Sequence, residues 1–566
     1  MFRQKAGEKL IELLVEWGVD HIYGMPGDSI NSFIEPLRKA QDKIKFIQVR
    51  HEEAGALAAA AYAKLTGKLG VCTAIAGPGA IHLLNGLYDA KLDRVPVLAL
   101  AGQVESDLLG TDYFQEVNLE RMFDDVAVYN QRVMSAEQLP AVVNQAIRTA
   151  YVKKGVSVLT IPDDIPRFEV GKKALMTSNF YVKQEVRPLE EDLERAKELL
   201  NNAERPIILA GKGTHGLRET LLSFAEKIAA PIVLTLPAKG SIPDKHPYCL
   251  GGLGLLGTKA AYEAMQDADL LLLIGTSYPF TGFLPENTKT IQIDIDPYQI
   301  GKRYPVDVGL AGEAGFTIEW LIENVHDKQH REFLEECQQR MEKWWARLEP
   351  QGEDASVPIK PQRVIRALQE VAADDAILSV DVGNVTAWTA RHFYMTNQKM
   401  ILSSWLATLG CGLPGAIAGK IAYPNRQVFA ICGDGGFGMT MNDFVTAVKY
   451  RLPLVVVVLN NHKIAMIKFE QEVMGNIEFG TDLHNPNFAK YAEACGGVGY
   501  RVEHPNELQP AFEQAVKQTK PCIIDVVVDA DEAPIPGNIT FAQVAGYTKH
   551  MLKVFFEEGK IDLPPI

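Results

Sequence analysis

Three doubly wound parallel-sheet domains, making an α/β chain, are what this sequence predicts. Short β-branched apolar runs recur along it, such as 428–432 and 454–459, with the length and composition of strands buried on both faces. Helical patterns alternate with these runs, as a doubly wound sheet requires. Gly-, Pro- and Asp-rich turns follow the apolar runs, at the strand ends where such sheets bind ligands.

Composition sets the outer bounds. A chain of 566 residues exceeds one hydrophobic core, and about three domains are expected. Hydrophobic content of 47% against 23% charged residues fits a globular protein. The formal charge of −14 argues against nucleic acid as a partner. The 7 cysteines lack CxxC spacing and give no zinc signal. Cys72, Cys411, Cys432 and Cys522 stand in apolar contexts and read as buried thiols of a reducing compartment. No apolar core follows the basic start, and no run approaches a spanning helix, so a cytoplasmic protein is expected.

Residues 1–185 form the first expected domain. A helix is predicted over 9–17 and a strand over 21–23, ending in GMPGDS with Pro26 and Gly27 in the turn. The strand 46–49 runs into Arg50-His51-Glu52-Glu53, which opens an Ala-rich helix over 54–65. The strand 70–76 ends in Gly77-Pro78-Gly79, and the next helix carries His82 and Asn85. Further strands are predicted at 95–100 and 156–161. An acid in a first helical turn, such as Glu52, is ordinarily a surface group favoured by the macrodipole. Its company sets it apart: Pro78 and His82 at the next strand end, then Phe114-Gln115-Glu116.

Residues 186–340 form the second expected domain, after a polar linker over 172–187. The strand 205–210 leads into GKGTHG, with Gly211 and Gly213, and then a helix over 217–228. This matches GxGxxG between strand and helix, the dinucleotide fingerprint. The next strand, 231–236 with Thr235, ends without the acid that would hold a nicotinamide ribose, so a standard NAD site is not expected. The strand 269–274 runs into Gly275-Thr276-Ser277-Tyr278-Pro279, and 290–293 into Asp294-Ile295-Asp296. Asp294 and Asp296 are candidate ribose ligands; turn chemistry at a strand end would use the same residues.

A charged linker over 344–353 leads to the third expected domain, 355–530. Its strand 376–380 ends in Asp381-Val382-Gly383, and Thr408-Leu409-Gly410 precede a helix of small residues. The central stretch is ICGDGGFGM, where Gly433, Asp434, Gly435 and Gly436 form a turn before a helix over 441–451. A second strand then ends at Asn460-Asn461. This crossover brings Asp434 and Asn461 to one sheet edge, where carboxylate, amide oxygen and backbone carbonyls suit Mg²⁺ on a diphosphate. Beyond it, 463–474 carries Lys463, Met466 and Glu470. The tail, 531–566, holds a breaker Ala-Pro-Ile-Pro-Gly and an amphipathic stretch over 541–556, which either docks on the protein or contacts a membrane surface.

The GDG…NN pair resembles the thiamine-diphosphate-binding motif. With VRHEEAGALAAAAYAKLTGKLGV, AGPGAIHLLNGLYDAKLDRVPVLAL, FQEVN, QIDIDPYQIGKR and GDGGFGMTMNDF, residues 1–530 resemble the thiamine-diphosphate-dependent decarboxylase superfamily, nearest to its flavin-containing pyruvate oxidases. That resemblance implies pyrimidine-binding, FAD-binding and diphosphate-binding domains in this order, with thiamine diphosphate, Mg²⁺ and FAD as cofactors. Glu52 would activate the cofactor, with His82, Phe114 and Gln115 nearby and Glu470 facing the reacting centre. Asp434, Asn461 and the Lys463 carbonyl would bind Mg²⁺, and Leu409 would bend the cofactor. Each site would be shared by two subunits, giving a homodimer at least and usually a homotetramer. The implied reaction is oxidative decarboxylation of pyruvate through hydroxyethyl-thiamine diphosphate to FAD. Electrons would pass on to quinone, giving acetate, or to oxygen with phosphate, giving acetyl phosphate and H₂O₂.

The nearest alternative is acetolactate synthase, which shares Gly102-Gln103-Val104 and Phe114-Gln115-Glu116. Its loop resembles GMVRQWQ, with a Trp where this chain's AMIKFEQ has Glu470, which favours oxidation. Gly27-Asp28-Ser29 resembles quinone-linked relatives, and the added carboxylate disfavours bound phosphate by repulsion. A nicotinamide dehydrogenase or a non-catalytic scaffold would leave the GDG…NN pair and Glu52 unexplained.

Overall fold

The computed structural model describes residues 4–171, 174–175, 177–534, 549–550 and 553. Three six-stranded sheets carry the chain, and every pairing between their strands is parallel. The first holds β1 (His21–Gly24), β2 (Lys45–Gln48), β3 (Gly70–Ala74), β4 (Val97–Gln103), β5 (Ala127–Arg132) and β6 (Val156–Pro162), in the order β2-β1-β3-β4-β6-β5. The second holds β7 (Pro206–Ala210), β8 (Ile232–Leu234), β9 (Cys249–Gly252), β10 (Leu270–Ile274), β11 (Lys289–Asp294) and β12 (Val308–Ala311), ordered β12-β11-β10-β7-β8-β9. The third holds β13 (Ile377–Val380), β14 (Lys399–Ile401), β15 (Val428–Gly433), β16 (Val455–Asn460), β17 (Val498–Val502) and β18 (Cys522–Val527), ordered β14-β13-β15-β16-β18-β17.

The first and third sheets thus share one topology, and the second has the strand order of a dinucleotide-binding fold. In each, the winding reverses between two neighbours: β1 and β3, β7 and β10, β13 and β15. The reversal sends the following loops apart and leaves a crevice at the strand C-termini. Pro26, Gly27 and Pro78 follow the first pair, Gly211 and Gly275 the second, Asp381 and Asp434 the third.

The strands that sequence patterns miss are β5, β9, β12, β14 and β17, all sheet edges. An edge strand is paired on one side only, so it needs less apolar sequence; β14 is Lys-Met-Ile and β9 ends in two glycines. Two further expectations change. The predicted turn after β15 is helix from its first residue, Asp434–Thr440, followed by a 3-10 turn, Met441–Asp443, and a second helix, Phe444–Lys449. Gly436 sits inside that helix because a Cβ there would lie 2.8 Å from the Asp381 carboxylate. The stretch expected as a linker over 344–353 is the end of a helix, Glu332–Leu348, whose Phe333, Cys337, Met341 and Trp344 fill the second sheet's core, plus a 3-10 turn. The amphipathic stretch expected over 541–556 lies outside the described residues except for Lys549, His550 and Lys553. Among the described residues no helix is long and apolar enough to cross a membrane.

The first and third domains share a hydrophobic core. The Ala-rich helix Glu52–Thr66 packs on the small-residue helix Gly412–Ala422, where Gly419 approaches Leu65. A buried ion cluster adds a polar joint between domains. Lys64 Nζ lies 2.6 Å from both Asp89 and Asp93 and donates to the Leu402 carbonyl at 2.9 Å. Asp93 also receives the Ser404 hydroxyl, and its carbonyl accepts from Lys212 Nζ of the second domain at 2.6 Å. Burial alone would lower the Lys64 pKa, but the two carboxylates raise it, so the ammonium stays charged.

Close backbone approach gives a direct test of this packing. At Gly70 an added Cβ would stand 2.1 Å from the Ala59 carbonyl oxygen, whereas at Gly282 it would meet nothing within 4 Å. Gly70→Ala should cost about 1–3 kcal/mol of stability, read as a lowered thermal midpoint, while Gly282→Ala should leave the midpoint in place.

Candidate functional site

Three groups of residues, one per crevice, make up the candidate site. In the third sheet, Asp434 opens the helix after β15, and β16 ends beside it. Asp434 Oδ2 accepts the His462 amide at 2.7 Å and the Asn485 side-chain amide at 2.6 Å, and Oδ1 accepts the Gly435 amide at 3.1 Å. Burial pushes its pKa up to about 6 against these bonds. Asn461 turns its Oδ1 onto the Lys463 amide at 3.1 Å. The His462 amide thus ties Asp434 to the turn that bears Asn461 and Lys463, and their carboxylate, amide and carbonyl groups offer hard oxygens, which fits Mg²⁺. At the other side of the crevice Asp381 is fully buried and accepts the amides of Val382, Gly410 and Gly412 at 2.8, 2.9 and 3.4 Å. Burial raises it also to about 6. Asp381 thereby orients the Thr408–Leu409–Gly410 loop, and Gly383, at φ 117°, caps the helix Asn384–His392. Gly433 and Gly438 leave open space where a Cβ would stand, room for a diphosphate at the helix start.

In the first sheet, His51 caps the helix Glu52–Thr66 by accepting the Glu53 amide. Glu52 is buried, and its Oε2 lies 3.0 Å from His82 Nδ1. Gly79 closes on the same carboxylate, since a Cβ there would be 3.1 Å from Oε1. Pro78 is the first residue of the helix that ends in His82. Gly27 presses on Ile75, where a Cβ would stand 2.1 Å from Cγ2. Phe114 is 75% exposed, and Gln115 holds φ 64° against Gly77. The Arg50 amide donates to Asp443 Oδ1 at 2.8 Å, so the turn before Glu52 is held by the third domain. Asn85 Nδ2 bridges Glu53 at 2.5 Å and Thr408 Oγ1 at 2.8 Å, joining the same two domains a second time.

In the second sheet the turns after β7 and β10 touch: a Cβ on Gly211 would meet the Gly275 carbonyl oxygen at 2.4 Å, and one on Gly213 the Gly275 Cα at 2.7 Å. The GKGTHG segment forms a 3-10 turn, Lys212–Thr214, and the helix starts only at Arg218. Arg303 donates to the Ser277 carbonyl and hydroxyl, both at 2.8 Å, and stacks on Trp405 of the third domain at 5.0 Å. Asp294 accepts the Asp296 amide at 2.9 Å, and burial raises its pKa. Asp296 caps the Tyr298 amide, the turn chemistry expected of a strand-end acid.

A cleft of about 3190 Å³ runs between the second domain and both the first and the third. It brings together Gly213, Thr235, Gly275, Thr276, Ser277, Tyr278, Pro279, Asp294 and Asp296 with Gly383, Met466 and Glu470. Its two abutting Gly turns lie at the crevice where a sheet of this strand order takes a dinucleotide. Glu52, His82, Phe114, Gln115 and the Asp434 group do not line it. Sequence reasoning missed Asn485, Asn85, Asp443 and His51 as partners of these groups. Asn85, Asp443 and His51 lie within stretches already singled out, without a partner assigned to them; Asn485 is a lone polar residue outside any motif.

Comparison with known proteins follows the same three-part division. The N-terminal TPP-binding domain of thiamine pyrophosphate enzymes matches residues 4–122, their central domain 193–321 and their C-terminal TPP-binding domain 381–526. A Bacillus subtilis protein, YdaP, described as containing thiamine pyrophosphate, is 54% identical over 100% of this chain and 99% of its own length. The pyruvate oxidase of Lactiplantibacillus plantarum is 40% identical over 94% of this chain and 89% of its own. An acetolactate synthase large subunit of Mycobacterium tuberculosis is 33% identical over 93% and 88%.

The buried Asp434 sets a pH dependence. A metal ligand must be ionised, and the proton competes below the raised pKa of about 6. Mg²⁺-dependent binding of thiamine diphosphate, followed by calorimetry, should hold above pH 7 and weaken as pH falls through about 6. Asp434→Asn should weaken it more than about 10-fold at pH 7.5.

Proposed function

The chain belongs to the thiamine pyrophosphate enzymes, and from that premise we propose that it is a flavin-dependent pyruvate oxidase, an oxidative decarboxylase of pyruvate. The observation that carries this reading is the cleft. It runs from the crevice of a dinucleotide-type sheet to Met466 and Glu470, beside the turn that bears Asn461 and Lys463. A flavin seated there would have its path to the thiamine site lined by Glu470, an exposed acid rather than the Trp of acetolactate synthases.

In this reading Asp434, Asn461 and the Lys463 carbonyl hold Mg²⁺ and, through it, the diphosphate. Gly211, Gly213, Gly275 and Asp294 hold FAD. When bound, thiamine diphosphate supplies the electron sink for loss of CO₂ from a 2-oxo acid, and FAD accepts the two electrons released. The chain's own residues position and protonate. Glu52, desolvated and hydrogen-bonded to His82, carries the proton that the cofactor ring needs. Asp381 holds the Leu409 loop by the amides of Gly410 and Gly412.

A second subunit completes each site in this proposal. Glu52 and Phe114 lie away from the cleft, and Phe114, Ile81 and Met439, 75%, 45% and 61% exposed, await cover by an apolar partner. A homodimer meets that need, and a tetramer repeats it. For the final acceptor we favour quinone, with acetate as product. Asp28 is exposed in the first turn, where its charge opposes phosphate. Oxygen with phosphate is the other outcome. Acetolactate synthase is the second reading, supported by the full-length match at 33% identity.

Anaerobic pyruvate should bleach the bound flavin of the purified protein within turnover time, and quinone should restore it with acetate formed. Flavin that stays oxidised while acetolactate accumulates would establish the synthase. Glu52→Gln should keep both cofactors and lose about 10²–10⁴-fold in turnover, measured by single-wavelength pyruvate assay.

A further inference from the structure

Beside the proposed proton carrier stands a second set of ligands. One nitrogen each of His51 and His82 and one carboxylate oxygen of Glu52 all lie within 4.8 Å of one another. The Glu52–His82 pair is already 3.0 Å apart, near the ligand–ligand spacing of a tetrahedral site. The two imidazoles stack with centroids 4.4 Å apart. Their side chains are 39% and 42% exposed, so both rings can turn to close the set, while the Glu52 side chain is only 10% exposed.

The backbone beneath this set is held in place. His51 is the cap of the helix Glu52–Thr66, and the Arg50 amide before it is bonded to the buried Asp443. Two imidazoles and one carboxylate are the ligands of an open zinc site, not of Mg²⁺, which demands oxygen ligands. The Asp434 turn and this set therefore differ in the metal they select.

We infer that His51, Glu52 and His82 bind a borderline transition-metal dication, of which Zn²⁺ is the probe, and that the bound ion switches off turnover reversibly. On binding, the metal replaces the hydrogen between His82 Nδ1 and Glu52, the His82 ring keeping its proton on Nε2, and the Glu52 lone pair that would carry a proton to the cofactor is taken by the metal. The switching rests on the role of Glu52 proposed above; the binding does not.

The test uses the Mg²⁺-saturated holoenzyme and Zn²⁺ buffered by a chelator. Calorimetry should give one Zn²⁺ per chain, and pyruvate turnover should fall over the same range and return when a zinc-selective chelator is added. His51→Asn keeps an acceptor for the Glu53 amide, since Asn caps helices well. It should lose about 10–100-fold in zinc affinity, read by calorimetry whatever its own turnover without zinc. Zinc binding that is absent, or equally tight in His51→Asn, overturns the site. Binding that His51→Asn abolishes but that leaves turnover untouched overturns the switch and leaves the metal site standing. A chain that never turns over pyruvate still reports the site by calorimetry, so failure of the proposed reaction is read separately.

Discussion

Reversal of winding within a parallel sheet is the constraint on which this molecule depends. A strand whose two neighbours are reached in opposite directions must send its loops apart, and the gap lies at the strand C-termini. Three sheets contain three such gaps, and each has Gly, Pro or Asp residues in the turns that border it. Backbone amides aimed into the gap then do what side chains need not: three of them fasten Asp381, and two glycine turns abut at Gly211 and Gly275.

The three gaps are useful together only if the sheets keep a set relation. Apolar contact between the helices Glu52–Thr66 and Gly412–Ala422 supplies most of the joint, because small residues let the two backbones approach. Polar ties specify it: Asp443 on the Arg50 amide, Asn85 between Glu53 and Thr408, and Lys64, held by Asp89 and Asp93, on the Leu402 carbonyl. A buried charge of this kind contributes little net stability when whole but costs several kcal/mol when one partner is removed. Asp93 is the member to watch, since it reaches Ser404 with its carboxylate and Lys212 with its carbonyl, and so touches all three domains.

Much of this was legible beforehand. The inner strands were readable because a strand covered on both faces must be apolar throughout, as β16 is. Five of the six edge strands escaped, because one free side relaxes that demand; β2 was readable. The helix beginning at Asp434 escaped because glycine normally argues against helix, and only the approach of Asp381 to Gly436 explains it. Asp434, Asn461 and Glu52 were readable from motif and strand position. Asn485 and Asp443 were not, because their partners lie far along the chain and no local pattern encodes the contact.

The sequence by itself determined the strand-ending turns, the Asp and Asn side chains after β15 and β16 and the acid at the head of the Ala-rich helix, because each is set by residues adjacent in the chain. Tertiary structure alone decided which of them meet. It put the second-domain glycines and Glu470 along one cleft and left Glu52 with His82 and His51 on a different face. The physical reason is that strand order and domain packing depend on contacts between residues hundreds of positions apart, which periodicity and spacing do not record.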